Sequence, residues 1–223
     1  MKSATARLYL DALAALVRPE DTELLEVGCG QGELLREARR RGFVVHGVEL
    51  SPHAAVAANR LLGEGTVTTG ALDTIAGLAG PFGAVATADV IEHVRDPQGF
   101  LHRIYELLRP GGAILLVTPS LDSWTRRLLG RHWMEYKVEH LFYFGAAAIR
   151  ILLERCGFQE IRISPGRKVL TIDYLSRHFD RFRVPALSPV IGLLRRLVPD
   201  RLAHRCIRVP ASNLMAIARR PSS

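Results

Sequence analysis

The sequence predicts a doubly wound α/β fold built on a parallel sheet, and three observations carry that prediction. Short apolar runs alternate with helical patterns from residue 23 to residue 118. Each run is apolar on both faces, as strands covered by helices on both sides must be. The first run ends in a glycine-rich turn, Glu26-Val27-Gly28-Cys29-Gly30-Gln31-Gly32, and a helix follows at once.

The elements follow in order. Residues 4–17 predict an amphipathic helix, with Leu8, Leu13, Leu16 and Val17 near helical spacing and Pro19 past its end. A strand at 23–27 leads through the glycines to a helix at 31–41, acid-first and ending in Arg39-Arg40-Arg41 before Gly42. Phe43 to Glu49 is the second strand. Ser51-Pro52 then supplies an N-cap followed by proline at N1, opening a helix to Leu62. A short strand is expected at 66–69 and an apolar one at Phe82 to Ala88. Asp96-Pro97 repeats the cap and starts a helix to Leu108, and Arg109-Pro110-Gly111-Gly112 turns the chain into a strand at Ala113 to Thr118. Residues 119–144 show no clean period. Gly145 to Cys156 is helical, Phe158 to Ser164 strand-like, and so is Ala211 to Ala218.

At 223 residues the chain is expected to form one domain with a substantial core. Cys29, Cys156 and Cys206 form neither a disulfide framework nor a C-x-x-C pair, which points to a reducing cytoplasm. Asp11 interrupts the early apolar stretch, so a signal peptide is not expected, and no uncharged run is long enough to span a membrane. The sequence is basic, with a net charge of +8. Residues 166–208 hold ten Lys/Arg against three Asp, a net of +7, so one late segment makes the protein basic. An anionic partner is the natural inference.

Ligands of doubly wound sheets bind beyond the carboxyl ends of the strands. Those ends carry Gly28-Cys29-Gly30, Glu49-Leu50-Ser51, Asp89 and Thr118-Pro119. The glycine pattern is E-x-G-x-G-x-G, with the third glycine one residue too early for the dinucleotide fingerprint G-x-G-x-x-G. Glu26 places a carboxylate where a pyrophosphate would be repelled, so a ligand with a cationic group is favoured. Glu49 ends the second strand about twenty residues after the glycines, where a carboxylate accepts hydrogen bonds from both hydroxyls of a ribose. A bland alternative, a tight turn followed by a solvated strand-end acid, stands beside this reading.

Four stretches, Leu24 to Gly32, Val48-Glu49-Leu50-Ser51, Phe82 to His93 and Leu107 to Val117, together resemble the class I S-adenosylmethionine-dependent methyltransferases, in the family's order and spacing. The chain is most similar to the small-molecule branch akin to quinone-biosynthesis O-methyltransferases. The resemblance, from about residue 5 to 164, implies S-adenosylmethionine as cofactor and a Rossmann-like seven-stranded sheet whose last strand, Ala211 to Ala218, runs antiparallel. It implies that Glu26 and the backbone of Gly28, Cys29, Gly30 and Gly32 hold the amino-acid end of the cofactor. Glu49 then holds the ribose, Leu50 lies against the adenine, and Asp89 belongs to the cofactor site. Two departures weaken the adenine contacts of Ala71 and Leu72: the family's acidic residue after the third-strand glycine is displaced to Asp73, and Phe82 is followed by Gly83 rather than aspartate.

The block Asp89-Val90-Ile91-Glu92-His93 is open to three roles. His93 suits the general base that a hydroxyl acceptor needs near neutral pH. Asp89, Glu92 and His93 together resemble the metal-associated block of quinone O-methyltransferases, and carboxylate with imidazole suits a divalent ion. Glu92 and His93 also suit simple capping of the strand–helix loop. The block lacks the Asn/Asp-Pro-Pro-aromatic run of amino-methylating enzymes, and Cys29 lies in the cofactor loop, away from any cytosine-type acceptor chemistry. His140 is a second candidate base, within an aromatic stretch containing Trp124, Trp133, Tyr136 and Tyr143 that is expected to overhang the site.

The expected organisation is thus an N-terminal helix (1–22), a cofactor-binding core (23–118), a substrate lid (119–144) and a basic helical insertion (166–208). In the insertion, Leu187, Val190, Ile191, Leu194, Leu197 and Val198 form an apolar stripe beside Arg195 and Arg196. Such a segment packs as a helical cap, forms a dimer contact, or lies on an anionic membrane through 187–208, giving access to a lipid-linked acceptor. The expectation is O-methylation of a small or lipid-linked acceptor by a cytoplasmic, membrane-peripheral monomer or homodimer. An RNA methyltransferase and a non-catalytic cofactor-binding regulator are the rivals, with nucleic acid the less favoured partner.

Overall fold

A computed structural model describes residues 2–18, 20–75, 78, 80–181, 190–193, 195 and 198–222. Its seven strands are β1 (Glu23–Val27), β2 (Val44–Glu49), β3 (Val67–Thr69), β4 (Phe82–Ala88), β5 (Leu108–Pro119), β6 (Gln159–Leu170) and β7 (Ile207–Arg219). They form one sheet in the order β3-β2-β1-β4-β5-β7-β6. The first five pair in parallel, and β7 is antiparallel to both β5 and β6. The doubly wound sheet with one antiparallel strand is therefore as expected.

Alternation along each strand divides the core between two faces. Leu24, Val45, Ala84, Ala86, Leu115, Val117 and Ile217 pack on one side with helices α1 (Lys2–Ala14), α2 (Glu33–Arg40) and α3 (Pro52–Leu62). Leu25, Val48, Val85, Ile114, Leu116 and Ala216 pack on the other with α4 (Pro97–Leu107) and α6 (Ala146–Arg155). Helix α1 buries Ala6, Tyr9, Leu10 and Leu13, a stripe at i, i+3, i+4 and i+7. Both cap-plus-proline devices form. The Ser51 hydroxyl accepts from the Ala54 N–H at 3.4 Å and the Asp96 carboxylate from the Gly99 N–H at 2.9 Å.

Three elements differ from the sequence expectation. Strand β5 begins at Leu108, so Arg109-Pro110-Gly111-Gly112 lies within it, where Gly111 N–H bonds to the carbonyls of Arg220 and Pro221. The stretch 119–144 holds a short helix, α5 (Trp124–Leu129), capped by the Ser123 hydroxyl accepting from Arg126 N–H. Strands β6 and β7 run on as a ribbon, with Arg167 to Leu170 paired against Pro210 to Ile207. Beyond it lie α7 (Ile172–Arg181) and α8 (Asp200–Ala203). Residues 190–193 are helical. Leu187, Leu194, Arg196 and Leu197 of the apolar stripe lie outside the described residues. No helix of the described residues is long and apolar enough to cross a membrane.

Candidate functional site

The glycine loop occupies the carboxyl end of β1. Gly28, Gly30 and Gly32 all take positive φ, at 74°, 54° and 82°. A side chain at any of them is strained. At Gly28 it would also strike the side chain of Val90, so the loop is packed on the turn that follows β4. Gly28 and Cys29 N–H both donate to the Val48 carbonyl, at 2.8 and 3.2 Å, tying the loop to β2.

Two carboxylates, Glu26 and Glu49, flank this loop. Glu26 is buried and hydrogen-bonded by the Leu35 backbone N–H in the first turn of α2, but its Oε2 has no partner among the described residues. Burial, then Glu33 and Glu49, push its carboxyl well above the usual range, against the Leu35 bond. A buried acid held this way is stabilised by a cation. Glu49 accepts from Gly30 N–H at 2.7 Å and from Ser51 N–H at 2.8 Å. Beside it Leu50 is 71% exposed, an apolar side chain open on the surface next to the loop.

A second group lies across the turn after β4. Asp89 takes a left-handed φ of 56°, and the 3₁₀ turn Ile91–His93 follows. Glu92 is 1% exposed. Its Oε2 accepts from the Thr118 hydroxyl at the end of β5 at 2.9 Å, while Oε1 is buried without a partner among the described residues. Burial raises its pKa to about 7, with Asp89 adding to the rise and the Thr118 bond and His93 opposing it. The stretch 119–144 returns here: Leu141 and Phe142 N–H donate to the Glu92 carbonyl at 2.8 and 3.2 Å.

The two histidines, 47 positions apart in sequence, meet edge to face with ring centroids 4.8 Å apart. His93 is exposed, and its Nδ1 lies 2.9 Å from the Glu139 carbonyl. A carbonyl only accepts, so Nδ1 carries a proton, and in the neutral ring Nε2 presents the lone pair. His140 is buried with Nδ1 unpartnered among the described residues, and burial, Lys137 and His93 lower its pKa, so it is neutral at pH 7. Glu92, His93 and His140 bring ligand atoms within 4.8 Å of one another.

The family model described as a methyltransferase domain matches residues 1–163. The chain belongs to the methyltransferase-domain family. Ubiquinone biosynthesis O-methyltransferase of Caulobacter vibrioides is 38% identical to it over 122 residues, covering 52% of this chain and 48% of that protein. The mitochondrial ubiquinone biosynthesis O-methyltransferase of Schizosaccharomyces pombe is 33% identical over 125 residues, 53% of this chain and 44% of that one. The chain thus spans about half the length of these curated relatives. In fold it is similar to an S-adenosylmethionine-dependent methyltransferase of Archaeoglobus fulgidus, with a TM-score of 0.63 at 17% identity, covering 97% and 92% of the two chains. It is likewise similar to phosphoethanolamine N-methyltransferase 2 of Haemonchus contortus in complex with S-adenosyl-L-methionine, with a TM-score of 0.62 at 21% identity over 96% and 52%.

In this chain the sequence-predicted residues separate by what their side chains face. Glu26, Gly28, Gly30, Gly32, Glu49 and Leu50 gather around one loop. Cys29 offers only its backbone: its thiol is buried in the core, and burial, Glu26 and Glu49 raise its pKa. Leu72 is 6% exposed and packs in the core beneath the β3 turn, leaving Ala71 as the more open of the pair. Asp89 lies outside the Glu92–His93–His140 cluster and faces Lys168, 3.7 Å away. Sequence reasoning placed Thr118 at a ligand-facing strand end but gave it no role, its only signal being a hydroxyl there. A cleft of about 550 Å³ opens elsewhere, among Lys2, Ser3, Gln31, Glu33, Arg36, Ala57 and Leu61. It shares Gln31 with the glycine loop and includes none of Glu92, His93 and His140.

Proposed function

We propose that the enzyme uses S-adenosylmethionine to methylate an oxygen of a small or lipid-linked acceptor. The observation that carries the acceptor side is the His93–His140 pair standing over buried Glu92, one turn beyond the Val90 contact with the glycine loop. Two relatives named O-methyltransferases support oxygen as the acceptor atom.

The unpartnered Glu26 Oε2 and the positive-φ glycines fit a ligand that brings a cation to the loop. Bound there, S-adenosylmethionine supplies an electrophilic methyl group on a sulfonium. Glu26 and the loop backbone would hold the amino-acid end, Glu49 the ribose hydroxyls, and Leu50 with Ala71 the adenine. The protein's main task is then to align the acceptor and exclude water, which is worth several kcal/mol. The lone pair of His93 Nε2 takes the acceptor's hydroxyl proton. Neutral His140 packs against it and holds the ring edge-on, and the Glu139 carbonyl fixes its tautomer.

A second reading is favoured by one observation. Glu92, His93 and His140 offer a carboxylate and two imidazoles in one cluster, a donor set that suits a divalent cation. In that case the group would hold the ion and the ion would polarise the acceptor oxygen. Methyl transfer from labelled S-adenosylmethionine to a panel of phenols, with and without chelator, decides between the two. Activity surviving exhaustive chelation sinks the metal reading, and methyl found only on nitrogen or carbon sinks the oxygen reading.

For the lipid-linked acceptor, support comes from the region beyond the ribbon. Val190, Leu193 and Leu202 are exposed there among Arg195, Arg201, Arg205 and Arg208, a mixture suited to an anionic membrane surface.

A further inference from the structure

The β6–β7 ribbon carries a lysine past the carboxyl edge of the parallel strands, where Asp89, Glu135 and Tyr9 lie around it. Lys168 pairs with Val209 in the ladder, on the stretch that outruns β5, where Pro119 lies opposite Asn213. Its Nζ is 3.7 Å from Asp89 Oδ2, with the lysine side chain one-third exposed and the aspartate half exposed. From α1, buried Tyr9 approaches the same group, and its hydroxyl accepts from Asn213 Nδ2 at 3.4 Å. Asn213 Oδ1 is left buried with no partner among the described residues. The ribbon is braced on both sides. Val169 N–H donates to the Thr5 hydroxyl of α1 at 3.0 Å, and the Ser212 hydroxyl donates to Glu135 of the lid at 2.7 Å.

This lysine is not explained by its ion pair. At 3.7 Å the contact with Asp89 is longer than a good hydrogen bond. Pairs this exposed contribute little. Nor is it a base: burial would lower its pKa, but Asp89, Tyr9, Glu135 and Tyr174 outweigh that and keep it charged. What remains is a fixed cation between the cofactor side, at Asp89, and the lid, at Glu135, beside an unanswered acceptor atom.

We propose that Lys168 receives an anionic oxygen of the methyl acceptor, while Asn213 Oδ1 accepts a hydrogen bond from a donor on the same molecule. The assignment rests on the reading that an oxygen is methylated, and it makes Lys168 a specificity-determining residue. The anionic oxygen is either the phenolate that takes the methyl group or a carboxylate elsewhere on the acceptor.

The test uses the full chain saturated with S-adenosylhomocysteine and three probes: phenol, 4-nitrophenol and 4-hydroxybenzoate. The anion of 4-nitrophenol absorbs in the visible, so its proton equilibrium is read directly while bound. A fall of about one pH unit in its apparent pKa, a tenfold shift towards the anion, places the phenolate at Lys168. An unshifted 4-nitrophenol with 4-hydroxybenzoate bound about tenfold more tightly than phenol places the carboxylate there. Either effect should vanish in Lys168→Met and persist in Lys168→Arg. Probes that behave alike in wild type and Lys168→Met, or that do not bind either, overturn the proposal. Stabilisation by S-adenosylhomocysteine checks that the variant is folded. If Lys168→Met fails that check, Lys168→Gln against Lys168→Arg decides in the same assay. A product methylated on carbon or nitrogen, with Lys168-dependent anion binding intact, counts against oxygen methylation alone.

Discussion

Replacing Glu92 by glutamine should stabilise the protein at pH 8 relative to pH 5. In the folded chain the Glu92 carboxyl is raised from its ordinary 4.5 to about 7, chiefly by burial. In the unfolded chain it ionises freely. Below pH 4.5 both states hold the proton and Glu92 has no pH-dependent effect. As pH rises towards 7 the unfolded state gains by ionising while the folded state resists, so stability is lost across that window. A rise of about 2.5 pH units corresponds to about 3 kcal/mol. Glutamine cannot ionise, and its carbonyl can still accept from Thr118. Its amide placed beside the buried Oε1 position costs the same at every pH and drops out of the comparison. Urea unfolding of wild type and Glu92→Gln from pH 4.5 to 8.5 should show the difference between them growing by about 3 kcal/mol. A difference equal at pH 5 and pH 8 refutes the reasoning. A divalent cation that flattens the wild-type dependence, by favouring the carboxylate, would locate a metal at this cluster.

Four further outcomes are expected. Glu49→Gln should weaken S-adenosylhomocysteine binding by about 1.5–3 kcal/mol, a loss of about 10- to 100-fold measured calorimetrically; unchanged affinity removes Glu49 from the ribose. Gly28→Ala should cost about 1–3 kcal/mol in strain plus the Val90 collision, and lower the Tm more than Gly30→Ala, whose position has nothing within 4 Å of an added Cβ; equal losses would contradict the packing described. His93→Ala should reduce kcat by about 10²–10⁴ and remove the acid limb of the pH–rate profile, whereas His140→Ala should shift that limb by altering the environment of His93. Reversing Arg195 and Arg196 to glutamate should reduce co-sedimentation with anionic vesicles at least about tenfold and leave neutral vesicles unaffected; no change argues against membrane contact through 187–208.

Much of the cofactor half is local in sequence and so was legible there. β1 and β4 follow from short, mostly apolar runs, and α3 and α4 from Ser51-Pro52 and Asp96-Pro97, because caps and proline act within a few residues. Glu26 and Glu49 terminate adjacent parallel strands, so their convergence follows from strand order. β5 was harder. Pro110 and Gly111 signal a turn, but the backbone of Arg220 and Pro221, more than a hundred residues later, keeps that stretch in the sheet. The ribbon was hidden for a related reason: Arg167, Lys168 and Arg208 read as a solvated charged run, and only pairing between β6 and β7 makes them strand. The acceptor half depends on such distant encounters. Nothing near His93 announces His140, and nothing near Lys168 announces Asp89, Tyr9 or Asn213.

The strand order carries a consequence for how the polypeptide is made. β6 is joined to the sheet through β7 alone among the described pairings. During synthesis β1 to β5 can assemble as soon as they emerge. They do so with the long edge of β5 unsatisfied, and β6 arrives before the strand that must separate it from that edge. For nearly forty residues, from Thr171 to Cys206, the ribosome lengthens the chain while β5 remains open to any passing strand. A stalled or prematurely terminated product within this interval would be an aggregation seed rather than a smaller, weaker enzyme.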